Sequence, residues 1–400
     1  MAEQSGRPQA RRSLFGFAAA ALMGLALAGC QLVPKPAPER PPEPERPVPE
    51  QPARPDPVTP GLPKDETHNR VAVLVPLTGT NAGVGQSIAN AANLALLDTG
   101  GARIRITIYD TAKGAAEAAN QALADGNGLF LGPLLAEDVR VIAPIARRAD
   151  VPVVSFSNDT SVAGAGVYLM GFNPAQSVER VVAHARSTGV DRFSALVPEG
   201  VYGRRAADAT IAAVRASGGT LTGMQTYDRA PAALRTAISR LNDQGVAQAV
   251  LIADSARSAA SAAPLIRSGP SGDARLLGTE LWAAEDNPGA NAALRGAWYA
   301  AVSDNLFNQL RTRYRARYGS NPYRLASLGY DAVLLAIRIA QDWPVGRDFP
   351  ERALRDRQGF VGVDGAFRFD SNGIAERALE VREVAAGAPR IVSPAPRGFD

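Results

Sequence analysis

The sequence predicts an α/β protein of two Rossmann-like lobes, each a parallel sheet with helices on both faces, preceded by a disordered proline-rich linker. Three observations carry this. From residue 70 onward, apolar runs of strand length alternate with segments of helical spacing. The alternation restarts near residue 173, which makes too many strands for one small sheet. Before residue 70, positions 34–63 hold 13 prolines with Glu and Arg between them and almost nothing large and apolar. Such a stretch cannot bury a core and favours extended polyproline II.

The elements follow in order. Val71–Pro76 is a continuous apolar run, as expected of a parallel strand buried on both faces. Residues 79–85 read as a glycine-bearing loop, and 87–97 as a helix through Ile88, Ala91, Ala92, Ala95 and Leu96. Strand 103–109, helix 112–124, strand 129–131, helix 137–148 and strand 151–156 complete the first series. The second runs helix 175–187, strand 193–197, helix 203–216, strand 221–227, helix 231–242, strand 247–252, helix 256–266 and strand 275–277. Strands alternating with helices of this length predict parallel sheets covered on both sides.

The N-terminus reads as an export signal over residues 1–29. Arg7, Arg11 and Arg12 precede an apolar stretch, 14–28. That stretch is shorter than the ~20 helical residues a membrane span needs and suits a signal-peptide core. It ends in Leu27-Ala28-Gly29-Cys30, which resembles the bacterial lipobox, where the peptidase groove admits only small side chains beside the scissile bond. Cys30 is the chain's only cysteine, so the expected outcome is a lipid on Cys30, a membrane anchor and no disulfide within the chain. Gln31 follows it. In Gram-negative lipoproteins a residue other than Asp there implies sorting to the periplasmic face of the outer membrane. Arg11-Arg12 leaves Sec and twin-arginine export both open.

Residues 30–69 then form the lipidated terminus and linker. Thirty extended residues at ~3.1 Å each reach on the order of 90 Å, either to cross much of the periplasm or simply as a tether. Without residues 1–29, 40 basic residues face 38 acidic ones. A balance this close gives no reason to expect nucleic acid as a partner. The two histidines, His68 and His184, cannot build a metal cluster or a Ser-His-Asp system. No Gly-x-Ser-x-Gly, Walker or His-Glu-x-x-His motif occurs. The expectation is a protein that is not an enzyme and uses no cofactor and no metal.

Four segments resemble the leucine-binding-protein-like, type I periplasmic-binding fold. They are Val71-Ala-Val-Leu-Val-Pro-Leu-Thr-Gly79, Tyr109-Asp110-Thr111, Gly132-Pro133-Leu134-Leu135 with Val151-Pro-Val-Val-Ser-Phe-Ser157, and Gly365-Ala-Phe-Arg-Phe-Asp370-Ser-Asn-Gly373. The resemblance implies one domain over 70–392 whose chain crosses three times between lobes. Lobe one would be about 70–172 and 303–355, lobe two about 173–302 and 356–392. It also implies a cleft at the carboxyl ends of the strands. Amino-acid-binding members clamp a carboxylate from lobe one and meet the ammonium with an acid on lobe two, a place that Glu280 would take here. The family's hydroxyl cluster after the third strand is replaced by Leu134-Leu135-Ala136-Glu137, and the fourth strand ends in Ser155-Phe-Ser-Asn-Asp159.

That variant pattern resembles the binding-fold domain of penicillin-binding protein activators, outer-membrane lipoproteins that stimulate a peptidoglycan synthase. The expected function is regulation of such a synthase. The alternative is the ligand-binding component of an uptake or sensing system for an amino acid or other small polar molecule. Candidate cleft residues are Thr78, Gly79, Leu135, Ser155, Ser157, Asn158, Tyr202 and Glu280. All but Leu135 have a structural alternative: a turn for Thr78 and Gly79, backbone capping for Ser155, Ser157 and Asn158, junction packing for Tyr202, a solvated loop for Glu280. Metabolic labelling with a clickable palmitate analogue tests the anchor: the full chain is expected to take up label, and Cys30→Ala to lose it.

Overall fold

The computed structural model describes residues 65–101, 103–284, 288–396 and 398–399. The signal peptide, Cys30, Gln31 and the proline-rich stretch lie outside the described residues.

Lobe one opens with β1 (Asn69–Val75), α1 (Ala82–Asp98), β2 (Ile104–Asp110), α2 (Ala115–Ala124), β3 (Leu129–Leu131), α3 (Ala136–Arg148), β4 (Val153–Ser155) and β5 (Val167–Leu169). The strands pair in parallel in the order β2-β1-β3-β4-β5. This is a doubly wound sheet whose strand order reverses at β1/β3, and ligand crevices form outside the carboxyl ends at such a point. Every residue of β1 is buried, as its unbroken apolar run requires.

Lobe two repeats the plan with α4 (Pro174–Ser187), β6 (Arg192–Pro198), α5 (Val201–Ala216), β7 (Thr220–Tyr227), α6 (Pro231–Gln244), β8 (Ala249–Ile252), α7 (Ala256–Arg267), β9 (Arg275–Gly278) and β10 (Trp298–Ala301). Helices α8 (Asn305–Tyr318) and α9 (Ala326–Ile339) return to lobe one, where Leu328, Val333 and Ala336 share a core with Val71, Val73 and Ile88. A small antiparallel sheet follows, β11 (Phe360–Gly362), β12 (Gly365–Phe369) and β13 (Ala375–Arg377). Last come β14 (Glu380–Glu383) and β15 (Arg390–Ser393), which extend the second sheet to β7-β6-β8-β9-β10-β14-β15. Its first five strands are parallel and its last two antiparallel, a common edge for such sheets.

Three findings differ from the sequence expectation. Helix α1 starts at Ala82, inside the expected 79–85 loop, because two of its first four residues are glycines that hid the helical pattern. Strand β5 was not expected; it is three residues long and flanked by Gly164 and Gly166. The third lobe crossing falls after Arg377 and not at 355/356. Phe360, Val363, Phe367 and Phe369 bury against the lobe-one core, and only from Glu380 does the chain join the lobe-two sheet.

Two buried arginines tie the three crossings together. Arg377 donates from Nη2 to the Met170 carbonyl at 2.6 Å, linking the third crossing to the first. Arg382 donates to the Val302 carbonyl at 2.6 Å and pairs with Asp304, linking the third to the second. Gln176 on α4 adds a two-way bond to β13, donating to the Ala375 carbonyl at 2.6 Å and accepting from the Arg377 N–H at 3.0 Å.

Both lobes use one device where the first strand turns into its helix. A Cβ on Gly85 of α1 would lie 1.8 Å from the Pro76 carbonyl oxygen, and one on Gly203 of α5 would lie 1.5 Å from that of Pro198. These contacts are to backbone, so nothing flexible can give way. Gly85→Ala and Gly203→Ala are each expected to cost about 1–3 kcal/mol or more in urea unfolding. Gly387→Ala, at a position with open space around it, should leave the midpoint unchanged.

Candidate functional site

A cavity of about 460 Å³ opens between the carboxyl ends of the two sheets. Lobe one lines it with Val84 of α1, Leu134, Leu135 and Phe156 after β3 and β4, and Leu325 before α9. Lobe two adds Leu281, Ala283, Ala301 and Val302, and Phe172 comes from the first crossing. The walls are therefore largely apolar. The polar groups on them are Asn81, Asn158, Tyr202, Glu280 and Arg324.

Glu280 sits at the end of β9, where the sheet delivers it to the cavity wall. Its Oε1 accepts the Tyr202 hydroxyl at 3.0 Å, and its Oε2 meets Ser177 Oγ on α4. Tyr202 also lies 2.9 Å from Thr279 Oγ1, and Ser177 lies 3.0 Å from the Pro174 carbonyl. Each hydroxyl has one proton to give. If Thr279 donates to Tyr202, Tyr202 to Glu280 and Ser177 to Pro174, then a protonated Glu280 donates to Ser177 and every group is satisfied. Glu280 keeps part of its surface on the void, but protein encloses it, and that burial pushes its carboxyl above the ordinary range against the pull of the Ser177 and Tyr202 bonds. Among the described residues no cation stands within ion-pair reach of it. Burial, then the adjacent Glu280, raises the Tyr202 phenol as well.

The cation on the wall is also engaged. Arg324 Nη2 is 2.7 Å from Oδ1 of the fully buried Asp364, Nη1 donates to Ser327 at 2.9 Å, and the guanidinium lies 4.1 Å from the Phe307 ring centre. Asp364 has Asp331 beside it, and burial followed by that like charge holds the Asp331 carboxyl well above its usual value. At the cleft mouth Arg205 of α5 reaches across the lobes to pair with Asp159 and to donate to the Asn158 carbonyl at 3.1 Å. Arg140 holds the same Asp159 at 3.0 Å. Burial raises Asp159, but the Ser161 bonds and the two arginines outweigh it and lower its pKa. The first turn of α3 carries its own acids, Glu137 and Asp138, where negative charge complements the helix dipole.

Of the eight residues singled out from sequence, Leu135, Asn158, Tyr202 and Glu280 line the cavity. The other four hold turns beside it. Thr78 donates to Asp110 at 2.9 Å, and Gly79 takes a left-handed φ of +73° in the same turn. Ser155 donates to the Pro133 carbonyl at 2.8 Å and accepts from the Ser157 N–H, while Ser157 accepts from the Asp159 N–H. Sequence reasoning missed Asn81, Ser177, Arg205 and Arg324. Ser177 had a signal: it interrupts the buried stripe of α4 that includes Val178, Val181 and Ala185, and a polar side chain on such a stripe needs a partner.

Comparison with known proteins adds a family. Residues 69–389 match the family described as periplasmic binding protein. An uncharacterized protein of Rickettsia prowazekii (strain Madrid E) is 22% identical over 182 residues, 45% of this chain and 49% of that protein; the match thus spans about half the length of that curated relative. Among solved structures, one described as a branched-chain amino acid ABC transporter from Rhodospirillum rubrum superposes with a TM-score of 0.71 at 21% identity, covering 81% of this chain and 100% of that one. The C-domain of LpoA from Haemophilus influenzae, a regulator of PBP1A, gives 0.64 at 20%, covering 81% and 100%. A solute-binding protein from Rhodopseudomonas palustris in complex with 3,4-dihydroxybenzoic acid gives 0.61 at 18%, covering 83% and 97%. At these identities the likeness is one of fold.

The hydrogen-bond chain makes a pH prediction. An acid whose pKa is raised on folding contributes stability that is complete below its unfolded value and is lost as pH climbs through the folded value. Wild-type protein should therefore lose unfolding temperature relative to Glu280→Gln as pH rises above the ordinary carboxyl range. Parallel curves would mean that Glu280 is ionised throughout. Glu280→Ala, which strands Ser177 and Tyr202, is expected to cost about 1–3 kcal/mol.

Proposed function

Because the chain belongs to the periplasmic binding protein family, we propose that its bilobed domain is a non-enzymatic regulator that docks on a peptidoglycan synthase. The observation that carries this reading is the state of the cleft. The acid that would meet a ligand's ammonium is already bonded to Ser177 and Tyr202, and the wall arginine is already paired with Asp364. A zwitterion entering here would have to break both sets of partners, which makes a shuttle for free amino acids a poor use of this site.

The fold shared with the C-domain of LpoA, itself a regulator of PBP1A, supports the same direction. So does the lipobox ending at Cys30 followed by Gln31, which fits a lipoprotein held at the periplasmic face of the outer membrane. The proline-rich residues 34–63 then supply reach toward a synthase at the inner membrane. A second reading, a small-molecule-binding component of an uptake or sensing system, draws on the cavity itself and on the likeness to the Rhodospirillum rubrum structure.

The test is reconstitution. Purified residues 65–400 should raise the polymerising or crosslinking rate of a class A penicillin-binding protein from the same cell in vitro. Shortening 34–63 should abolish the effect in cells while leaving it intact in solution. No stimulation of any such synthase, together with a rise in unfolding temperature on adding leucine that Glu280→Ala removes, would overturn the proposal in favour of the second reading.

A further inference from the structure

Among the described residues, the charged groups on the cleft wall and at its mouth are engaged. Glu280 closes a chain of hydroxyls, Arg324 is spent on Asp364, and Asp159 at the mouth is held by Arg140 and Arg205. What remains free on the wall is uncharged. The side chains of Asn81 and Asn158 make no hydrogen bond to another described residue. Between these polar points lie Val84, Leu134, Phe156, Phe172, Leu281 and Leu325.

From this we infer that the cleft takes a net-neutral, largely apolar small molecule with one or two hydrogen-bonding oxygens, and discriminates against zwitterions and carboxylates. Its apolar body replaces water along the leucine and phenylalanine walls, gaining roughly 25 cal/mol for each Å² covered. Its oxygens meet the side-chain amides of Asn81 and Asn158, which can donate or accept as required. Among the described residues a carboxylate would find no free cation, and an ammonium no free anion. The 460 Å³ volume falls within the usual range for small-molecule sites. This inference concerns the cleft alone and stands whether or not the domain docks on a synthase; occupancy of the cleft by such a molecule would give a regulator an input.

The experiment uses N-phenyl-1-naphthylamine, a neutral apolar fluorophore whose emission rises on leaving water. It should bind the purified domain saturably at one site. Ala283→Trp and Leu134→Trp, which fill the cavity from opposite lobes, should each raise its Kd about tenfold or more. Far-ultraviolet circular dichroism and the unfolding midpoint identify which of the two variants is folded, and the folded variant decides. Leucine and benzoate, at millimolar concentration, should displace none of the bound dye. Absence of saturable binding, binding that survives in a folded filled variant, or displacement by leucine or benzoate would each overturn the inference. Synthase stimulation is read separately, so failure here and failure of the docking proposal are distinguishable.

Discussion

Arg377 and Arg382 are buried where three stretches of chain pass between two lobes, and the cleft depends on them. Burying a guanidinium is costly unless its donors and charge are answered. Here main-chain carbonyls of the neighbouring crossings answer part of it, at Met170 and Val302. Carboxylates of Asp304 and Glu380 answer more for Arg382. Arg377 keeps Nε and Nη1 without a hydrogen-bond partner. It lies near the rings of Phe172 and Phe367, at 4.9 and 5.4 Å from their centres, where an aromatic face stabilises a cation, and the charges of Asp364 and Asp331 favour it as well. Each arginine reaches its carbonyl only when separate crossings lie side by side. The sheets therefore meet with their carboxyl ends facing, and the residues after β3, β4 and β9 converge.

Once the lobes face each other, the chemistry of the cleft is set by pairing inside the protein. Glu280 follows β9 on lobe two and stands on the cavity wall. Among the described residues its surroundings hold hydroxyls and no cation, so the acid becomes a member of a hydrogen-bonded chain from Thr279 to Pro174. On the other lobe Arg324 is drawn toward Asp364, buried in the turn between β11 and β12. Among the described residues the space is thus nearly neutral, with apolar walls and two amides.

Much of the fold was legible because buried parallel strands must be apolar throughout and their covering helices must be apolar on one face. Val71–Val75 and the stripe of α4 are examples, and their boundaries fell within a few residues of the observed ones. Elements held mainly by tertiary context were not legible. Strand β5 has three residues, and β11–β13 go to lobe one because Phe360, Phe367 and Phe369 find their core there, a choice no local pattern encodes. The site divided the same way. Tyr202 and Glu280 stand at strand-to-helix junctions, where position alone suggests a cleft. Ser177 is 103 residues from the acid it meets, and Arg324 lies between two helices with nothing local to mark it. Thr78, Ser155 and Ser157 stand at the same kind of junction, yet their hydroxyls are consumed by the turns that build it.

The contact of Arg205 with Asp159 and the Asn158 carbonyl has a kinetic meaning. It is the one described ion pair made directly between α5 and the loop after β4, and its side chains keep 24% and 14% of their surface in solvent. Separating them is the electrostatic part of the work of parting the lobes at the mouth. Salt screens charges over a Debye length of about 10 Å at 0.1 M, so that work shrinks as ions are added while the apolar walls are little affected. Entry to and exit from the cleft would then quicken together with ionic strength, leaving affinity nearly constant: residence time, rather than occupancy, becomes the quantity that responds to the surrounding salt.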